Sequence, residues 1–312
     1  MTYTVGIIGV GHVGAAVATA LVLRGSVGKL WLVDQKDAKA QAEALDLMDQ
    51  NALLDKQTAV DCFAYASDWH QLAACDVVVL AAGDISILGG DNPDRFAELR
   101  NSIRVVGDVA PRLKASGFDG VLINITNPCD VVVTYLQQQT GIPFARIFGT
   151  GTTLDTARMK KAVAKRLGCT LADVTGYVLG EHGESQFTAW STVRVGGVPI
   201  DQIAAAQHLS LPEFKEAARM GAWQILAGKG FTAYGIGLSA TVMVEAVLAD
   251  SHRALAVSAY DPAIGCYIGQ VAQLGAAGIE QVLPVPLTAA EQAQRAASVA
   301  SIQHMLHTID PA

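Results

Sequence analysis

A glycine-rich turn at residues 9–14 constrains the fold of this chain more than any other segment. Its sequence, Gly-Val-Gly-His-Val-Gly, lies between a predicted strand, Thr4–Gly9, and a predicted helix, Val13–Leu23. The three glycines permit a tight turn, a close approach of the backbone to a pyrophosphate, and close packing of the helix on the strand. The N-terminus of the helix then faces the negative charge of the pyrophosphate. The pattern therefore predicts a dinucleotide site at the end of the first strand.

Asp34 supports this prediction, because it ends the second predicted strand about 20 residues after the glycines, as the dinucleotide fingerprint requires. A carboxylate at this position can accept hydrogen bonds from both ribose hydroxyls of NAD and would repel the 2′-phosphate of NADP. The alternative is a glycine-rich turn followed by a surface aspartate. We expect NAD as the cofactor, with these cofactor-binding residues: Gly9, Gly11, His12, Val13, Gly14, Asp34 and Asn127.

Strands and helices alternate through the first half of the chain, which predicts βαβ units with right-handed crossovers and a parallel sheet. The predicted strands after the first are Leu30–Val33, Ala59–Phe63, Asp76–Ala82 and Val121–Asn124, and the predicted helices include Asp37–Asp49 and Phe96–Ser116. In the second half, predicted helices alternate with short segments that contain turn glycines and are suited to antiparallel ribbons. Its predicted helices are Leu154–Leu167, Pro212–Gly228, Tyr234–Asp250 and Thr288–Thr308, the last with a capping box at Thr288. We therefore expect a domain change near residue 145.

Composition excludes several classes of protein. The net charge of −7 and the lack of a basic run argue against a nucleic-acid partner. The most apolar stretches are interrupted by Asp76, Asp84 and Glu245, so none reaches the roughly 18 apolar residues that a membrane span needs. The five cysteines show no paired spacing, and no secretory signal precedes the first strand. We expect a cytoplasmic protein with reduced thiols.

Three further features lie in the middle of the chain. His182 lies between glycines in Gly-Glu-His-Gly, Asp155 and Arg158 are three residues apart on one predicted helical face, and Asn127-Pro128 follows a predicted strand. Each has an ordinary explanation when taken alone: a structural histidine, a surface ion pair of little energetic consequence, and a turn.

Taken together and in this order, the motifs resemble those of the L-lactate/malate dehydrogenase family. The resemblance rests on the 9–14 turn, Asp34, Arg95, Asn127-Pro128, Leu154–Arg158 and Gly180–Gly183, and extends to a C-terminal strand meander at Gly269–Glu280. It implies a Rossmann-type doubly wound parallel sheet at residues 1–145, which binds NAD. An α+β substrate domain would follow at residues 146–312. The family also implies a small 2-oxo or 2-hydroxy acid as substrate and a homodimer or homotetramer.

The resemblance also implies a role for each residue of the reacting centre. His182 would be the general acid when a 2-oxo acid is reduced, and Asp155 would hold its imidazole in one tautomer. Arg158 would bind the substrate carboxylate through two parallel hydrogen bonds. Asn127 would contribute an amide near the reacting oxygen and the nicotinamide, and Arg95 would swing in to polarise the carbonyl.

The expected substrate follows from the loop at residues 84–90, which is longer than in common family members. It offers Ile87 and Leu88 where lactate and malate enzymes carry a polar residue, Gln or Arg respectively. Without an arginine, a second substrate carboxylate would be buried unpaired, which disfavours malate and oxaloacetate. The loop instead looks most like that of L-2-hydroxyisocaproate dehydrogenases, which act on bulky apolar 2-oxo acids. The far wall of the pocket would hold Phe231, Thr232 and Ile236.

The alternative is an L-lactate dehydrogenase that acts on pyruvate without activation by fructose 1,6-bisphosphate. Lys160 and Thr175 stand where many bacterial relatives place the arginine and histidine that bind this activator, so one cation remains where two groups are used. Two rival classes are a metal-dependent glycosidase and a non-catalytic dinucleotide sensor. The first would need clustered ligands, for which Cys129 and His182 are the only plausible pair, and the second would not need Arg158 or His182. We expect no metal.

Overall fold

A single mixed sheet runs through both halves of the protein. The structure, a computed structural model, describes residues 3–83 and 95–309, without the side chains of residues 95 and 222. The elements of the first half are β1 (Thr4–Ile8), α1 (His12–Arg24), β2 (Lys29–Val33), α2 (Asp37–Asn51), β3 (Ala59–Cys62), β4 (Val77–Leu80), α3 (Arg95–Ala115), β5 (Val121–Asn124), α4 (Cys129–Thr140) and β6 (Ile147–Gly149).

The six strands of this half are parallel and lie in the order β3-β2-β1-β4-β5-β6. Every residue of β4 and β5 is buried, because helices cover both faces of the sheet. The strand order reverses between β1 and β4, and the carboxyl ends of the strands splay apart at such a switch point. The glycine turn follows β1 directly, so the sequence motif lies at this crevice.

The second half contributes five α-helices and six strands among the residues that the structure describes. They are α5 (Thr153–Leu167), β7 (Val174–Leu179), β8 (Phe187–Val195), β9 (Val198–Pro199), α6 (Ile200–Gln207), α7 (Leu211–Lys229), α8 (Tyr234–Leu248), β10 (Arg253–Asp261), β11 (Cys266–Gly275), β12 (Gly278–Val282) and α9 (Ala289–His307).

The antiparallel meander β10–β12 extends the parallel sheet. Ser258 of β10 pairs with Gly149 of β6, which gives nine strands in the order β12-β11-β10-β6-β5-β4-β1-β2-β3. Strands β7 to β9 form a separate antiparallel sheet, tied to the first by two backbone hydrogen bonds of 2.9 Å between Gly180 and Gly269. The predicted domain change near residue 145 stays a prediction, and β6 follows that point.

Helix α8 of the second half packs against α1 of the first. At Gly237 a Cβ atom would lie 2.8 Å from Cβ of Ala16, so only glycine permits this approach. The helices are also joined at the surface, where the guanidinium of Arg24 donates to Glu245 at 2.6 Å and 2.7 Å. Apolar residues of α8, including Met243 and Val244, therefore belong to the same buried core as β1 and β4.

The α/β fold predicted from the sequence is confirmed, with most element ends shifted by one to three residues. The capping box also forms, since the Glu291 N–H donates to Thr288 Oγ1 at 3.3 Å and the Thr288 N–H donates to Glu291 Oε2 at 2.8 Å. Helices α4 and α6 were not predicted. No single helix in residues 3–83 and 95–309 could cross a membrane by length and composition, and only the pair α7 and α8, bent by 117°, meets that criterion jointly.

We predict that Gly14→Ala lowers the free energy of unfolding by about 1–3 kcal/mol, the usual cost of overpacking. A Cβ at residue 14 would collide with the carbonyl oxygen of Gly9, whereas one at Gly11 would meet no heavy atom within 4 Å. Gly11→Ala is therefore the matched control for an added methyl group, and it should lose less stability than Gly14→Ala because it changes only the N-cap residue of α1. Equal stability of the two variants would contradict the packing role of Gly14.

Candidate active site

The glycine turn leaves an open anion site at the N-terminus of α1. Gly9 adopts a positive φ of 87°, and a Cβ there would lie 2.6 Å from the backbone of Ala82. Gly11 is the N-cap residue of α1 and has no side chain that could accept a hydrogen bond. It therefore does not cap the N–H groups in the first turn of this helix. Open space at Gly11 and polarised N–H groups fit a pyrophosphate that lies against the backbone.

Asp34 borders the same turn. Its Oδ2 accepts a hydrogen bond from the Val10 N–H at 3.0 Å, and its Oδ1 accepts one from the Lys36 N–H at 3.0 Å. These contacts fix the orientation of the carboxylate. A carboxylate has about four lone-pair sites, so two backbone hydrogen bonds leave acceptor capacity for ribose hydroxyls. The residues at the end of β2 thus fit the adenosine ribose of NAD.

Two aromatic rings stack beside the glycine turn. The ring of His12 lies parallel to that of Phe231, with centroids 3.6 Å apart and an interplanar angle of 1°. Phe231 lies between α7 and α8, and Lys229 reaches over its ring at 4.6 Å. Phe231, which was predicted to line the far wall of the substrate pocket, therefore contacts His12 of the glycine turn. Thr232 and Ile236 follow it and are half-buried.

The three central residues of the sequence analysis lie together. His182 Nδ1 is 2.7 Å from Asp155 Oδ2, and Arg158 Nη1 donates to Asp155 Oδ1 at 3.1 Å. Asp155 is in the first turn of α5, and His182 follows β7 on the turn that begins at Gly180. The Asp155 side chain is 6% exposed, against 22% for His182 and 15% for Arg158. The carboxylate of Asp155 is thus more deeply buried than the two side chains that contact it.

Electrostatics favour the ionised form of this pair. Burial by itself would lower the pKa of His182, but the charge of Asp155 and its hydrogen bond outweigh burial and raise that pKa above its usual value. Burial opposes ionisation of Asp155, yet His182 and Arg158 hold the pKa of its carboxyl below the usual range. Because an ionised carboxylate only accepts, Nδ1 carries its proton toward Asp155 and Nε2 is left to exchange a proton with a ligand.

Asp130, which was not predicted from the sequence, contacts the backbone of His182. Its Oδ2 accepts the backbone N–H of His182 at 2.7 Å, and its Oδ1 accepts the hydroxyl of Ser258. The carboxyl is 1% exposed, and burial raises its pKa to about 6. The sequence held one signal that could have found it, an acidic residue three positions after Asn127 in an otherwise apolar stretch.

The remaining predicted site residues are only partly described. Asn127 is half-buried, its carbonyl accepts the hydroxyl of Ser102 at 2.5 Å, and its peptide bond to Pro128 is cis. Arg95 begins α3, but its side chain lies outside the described residues. Ile87 and Leu88 also lie outside them.

Cys129 and His182, the pair that a metal site would need, each contact another side chain. Cys129 is buried, and its Sγ lies 3.9 Å from Thr150 Oγ1. Among residues 3–83 and 95–309, one group of possible metal ligands lies together, formed by Asp250, His252 and Glu280 on the surface. There Glu280 Oε2 lies 2.5 Å from His252 Nδ1, an ion pair that already occupies one ring nitrogen.

Family comparisons cover nearly the whole chain. The model of the lactate/malate dehydrogenase NAD-binding domain matches residues 3–149, and that of the lactate/malate dehydrogenase alpha/beta C-terminal domain matches residues 152–310. L-lactate dehydrogenase 1 of Bifidobacterium longum is 36% identical over 297 residues, which cover 92% of each chain. The L-lactate dehydrogenase of Limosilactobacillus reuteri is 35% identical over 292 residues, which cover 91% of this chain and 88% of the relative.

Solved structures agree with these matches. A minor L-lactate dehydrogenase from Enterococcus mundtii in the ligands-bound form has a TM-score of 0.92 at 31% identity. The lactate dehydrogenase from Cryptosporidium parvum complexed with lactic acid and nicotinamide adenine dinucleotide also has a TM-score of 0.92, at 25% identity. Each alignment covers 100% of this chain and 99% of the other. The chain therefore belongs to the lactate/malate dehydrogenase family of NAD-dependent 2-hydroxy acid dehydrogenases.

Proposed function

We propose that this protein reduces pyruvate to L-lactate with NADH and catalyses the reverse oxidation. The observation that carries this proposal is the His182–Asp155–Arg158 arrangement, which joins a proton donor to a carboxylate-binding cation. The L-lactate dehydrogenases from Bifidobacterium and Limosilactobacillus, which align over about nine-tenths of the chain, support pyruvate as the first substrate to test.

The chemistry of each side chain fits this reaction. Bound NADH supplies the hydride. One nitrogen of Arg158 donates to Asp155, and the planar guanidinium retains donors for two parallel hydrogen bonds to the substrate carboxylate. His182 then gives its Nε2 proton to the carbonyl oxygen, and the buried carboxylate of Asp155 stabilises the imidazolium before transfer. Asn127 would orient the reacting oxygen and the nicotinamide, and Arg95 would polarise the carbonyl.

A second candidate is the reduction of bulkier apolar 2-oxo acids, as in L-2-hydroxyisocaproate dehydrogenases. The observation that favours it is the sequence of the loop at residues 84–90, which offers Ile87 and Leu88 and no arginine. An apolar pocket discriminates by only about 1–3 kcal/mol for each methylene, so pyruvate and bulkier acids can both be substrates. The same loop disfavours oxaloacetate, whose second carboxylate would have no cationic partner there.

We predict that NADH oxidation is fast with pyruvate and at least about 100-fold less efficient with oxaloacetate, since an unpaired buried carboxylate costs several kcal/mol. The measurement is kcat/KM for pyruvate, oxaloacetate, 4-methyl-2-oxopentanoate and phenylpyruvate. Higher efficiencies with the last two acids would replace the first candidate by the second. Efficient reduction of oxaloacetate would contradict both.

The same assay tests regulation, and we expect no activation by fructose 1,6-bisphosphate. Of the two positions that bind this activator in many bacterial relatives, Lys160 carries a charge and Thr175 carries none. A clear rise in rate on addition of the sugar bisphosphate would refute this expectation.

We predict that Asp155→Asn lowers kcat/KM for pyruvate reduction by about 100- to 10,000-fold, as for other disrupted acid–base pairs. Since reduction needs protonated His182, the rate should fall as pH rises through the raised pKa of His182. Loss of the Asp155 charge lowers that pKa, so the falling limb should move to lower pH by about one unit or more. Asp173→Asn removes an exposed carboxylate elsewhere and should leave the pH profile unchanged. If the falling limb of the pH profile stays at its wild-type position in Asp155→Asn, Asp155 does not set the pKa of the acid in this reaction.

We predict that kcat/KM is at least about 100-fold higher with NADH than with NADPH, because like charges brought together cost several kcal/mol. Asp34→Ser should narrow this ratio by removing the carboxylate that would face a 2′-phosphate. Asp46→Ser, on the exposed face of α2, is the control and should keep the ratio. Equal efficiency of the wild type with both cofactors would contradict the assignment of Asp34.

A further inference from the structure

We infer that Asp130 is a positioning residue for the reaction proposed above, fixing the backbone of His182 and placing a second negative charge beside its imidazole. The inference rests on the proposed function for its catalytic meaning. The physical effect on His182 can be measured without any substrate.

The first support is geometric. Asp130 is in the first turn of α4, in the NAD-binding half of the chain, while His182 belongs to the turn after β7. Its carboxylate joins the His182 N–H, at 2.7 Å, to the Ser258 hydroxyl of β10. Both oxygens are therefore occupied by groups from the second half of the chain, and the catalytic turn is anchored to the first half through one buried side chain.

The second support is the placement of Asp130 three residues after Asn127. Asn127 belongs to the segment between β5 and α4, and Asp130 follows in the first turn of α4. The backbone of this segment is further held by Ser102, whose hydroxyl donates to the Asn127 carbonyl. An anchor between this segment and His182 fixes the separation of the Asn127 amide and the imidazole. Reacting groups must be held in such geometry, since misplacement by about 1 Å can cost about 100-fold in rate.

The third support is electrostatic. Burial raises the pKa of Asp130 to about 6, while the hydrogen bonds from Ser258 and the His182 backbone favour the ionised form. The carboxylate is thus mostly ionised at neutral pH, and its charge acts with that of Asp155 to raise the pKa of His182.

The other charged groups around this imidazole are few among the residues that the structure describes. Arg158 of α5 lowers the pKa of His182, and Glu181 on the same turn raises that of Asp130. Two buried thiols face Asp130, and their pKa values, raised by burial to about 12 for Cys129 and about 11 for Cys266, keep them neutral. Asp130 and Asp155 are therefore the two carboxylates that favour protonation of His182.

The decisive experiment is an NMR titration of the histidine ring protons in the full-length protein, without cofactor. Asp130→Asn keeps the shape and a carbonyl that can accept the His182 N–H, but it removes the charge. We expect the pKa of His182 to fall by about 0.5–1 unit, as for loss of a partly screened charge in direct contact. The His182 signal is assigned by its loss in His182→Gln. An unchanged pKa in folded Asp130→Asn would overturn the inference.

Two further variants keep the test decisive. Glu291→Gln removes another buried carboxylate, one that caps α9 and accepts from Ser191 and Thr288. We expect this variant to lose stability without a change in the pKa of His182. Ser258→Ala leaves Asp130 in place and removes one hydrogen bond to its ionised form, so it should lower the pKa of His182 by a smaller amount. If Asp130→Asn does not fold, an unchanged pKa in Ser258→Ala would equally overturn the inference.

Kinetics separate this inference from the proposed function. In Asp130→Asn the falling limb of the pH profile for pyruvate reduction should move to lower pH by the same amount as the NMR pKa, with kcat lowered more than KM is raised. A wild type that shows no 2-oxo acid reduction, together with a shifted NMR pKa in Asp130→Asn, would refute the proposed function alone. An unshifted NMR pKa of His182 in Asp130→Asn, together with a wild type that reduces 2-oxo acids, would refute the role of Asp130 alone.

Discussion

The requirement that buried charges be paired organises the centre of this protein. A carboxylate removed from water is costly unless it is hydrogen-bonded and compensated, and Asp155 and Asp130 are both almost fully buried. Asp155 is compensated by Arg158 and His182, while Asp130 relies on the Ser258 hydroxyl and the His182 backbone. Because the two carboxylates and their partners come from α4, α5, β10 and the turn after β7, these four elements must converge around His182.

The continuous sheet makes this convergence possible. Strand β6 ends the parallel part and β10 pairs with it at a single position, Ser258 opposite Gly149. The residue that joins the two parts of the sheet is therefore also the residue that donates to Asp130. On the other side of the sheet, α8 packs closely on α1 through Gly237. This packing brings Phe231, which precedes α8, against His12 of the glycine turn. One nine-stranded sheet thus carries the glycine turn after β1 and Ser258 of β10, which donates to Asp130.

Sequence patterns were sufficient to predict the elements whose structure depends on a few neighbouring residues. The 9–14 turn, the buried strands β1, β4 and β5, and the capped helix α9 were predicted because glycine conformation, apolar runs and capping act over a few residues. Helix α4 was missed because its run of buried residues, Val131–Val133, carries no amphipathic period, and the preceding Asn127-Pro128 indicates only a turn. Asp130 was missed with it, since a carboxylate amid apolar residues shows its function only through partners 52 and 128 positions away.

By itself the sequence determined the kind of chemistry, through a glycine turn between a strand and a helix, an acidic residue at the end of the second strand, and a histidine, an aspartate and an arginine in motifs ordered as in one family. These features are local, because each depends on residue type and short spacing. The tertiary structure decided which of them touch. It placed His182 between two carboxylates and Phe231 on His12, and it extended the parallel sheet with the C-terminal meander. Such contacts join distant parts of the chain, and burial and the pairing of charge select them only when the whole core has formed.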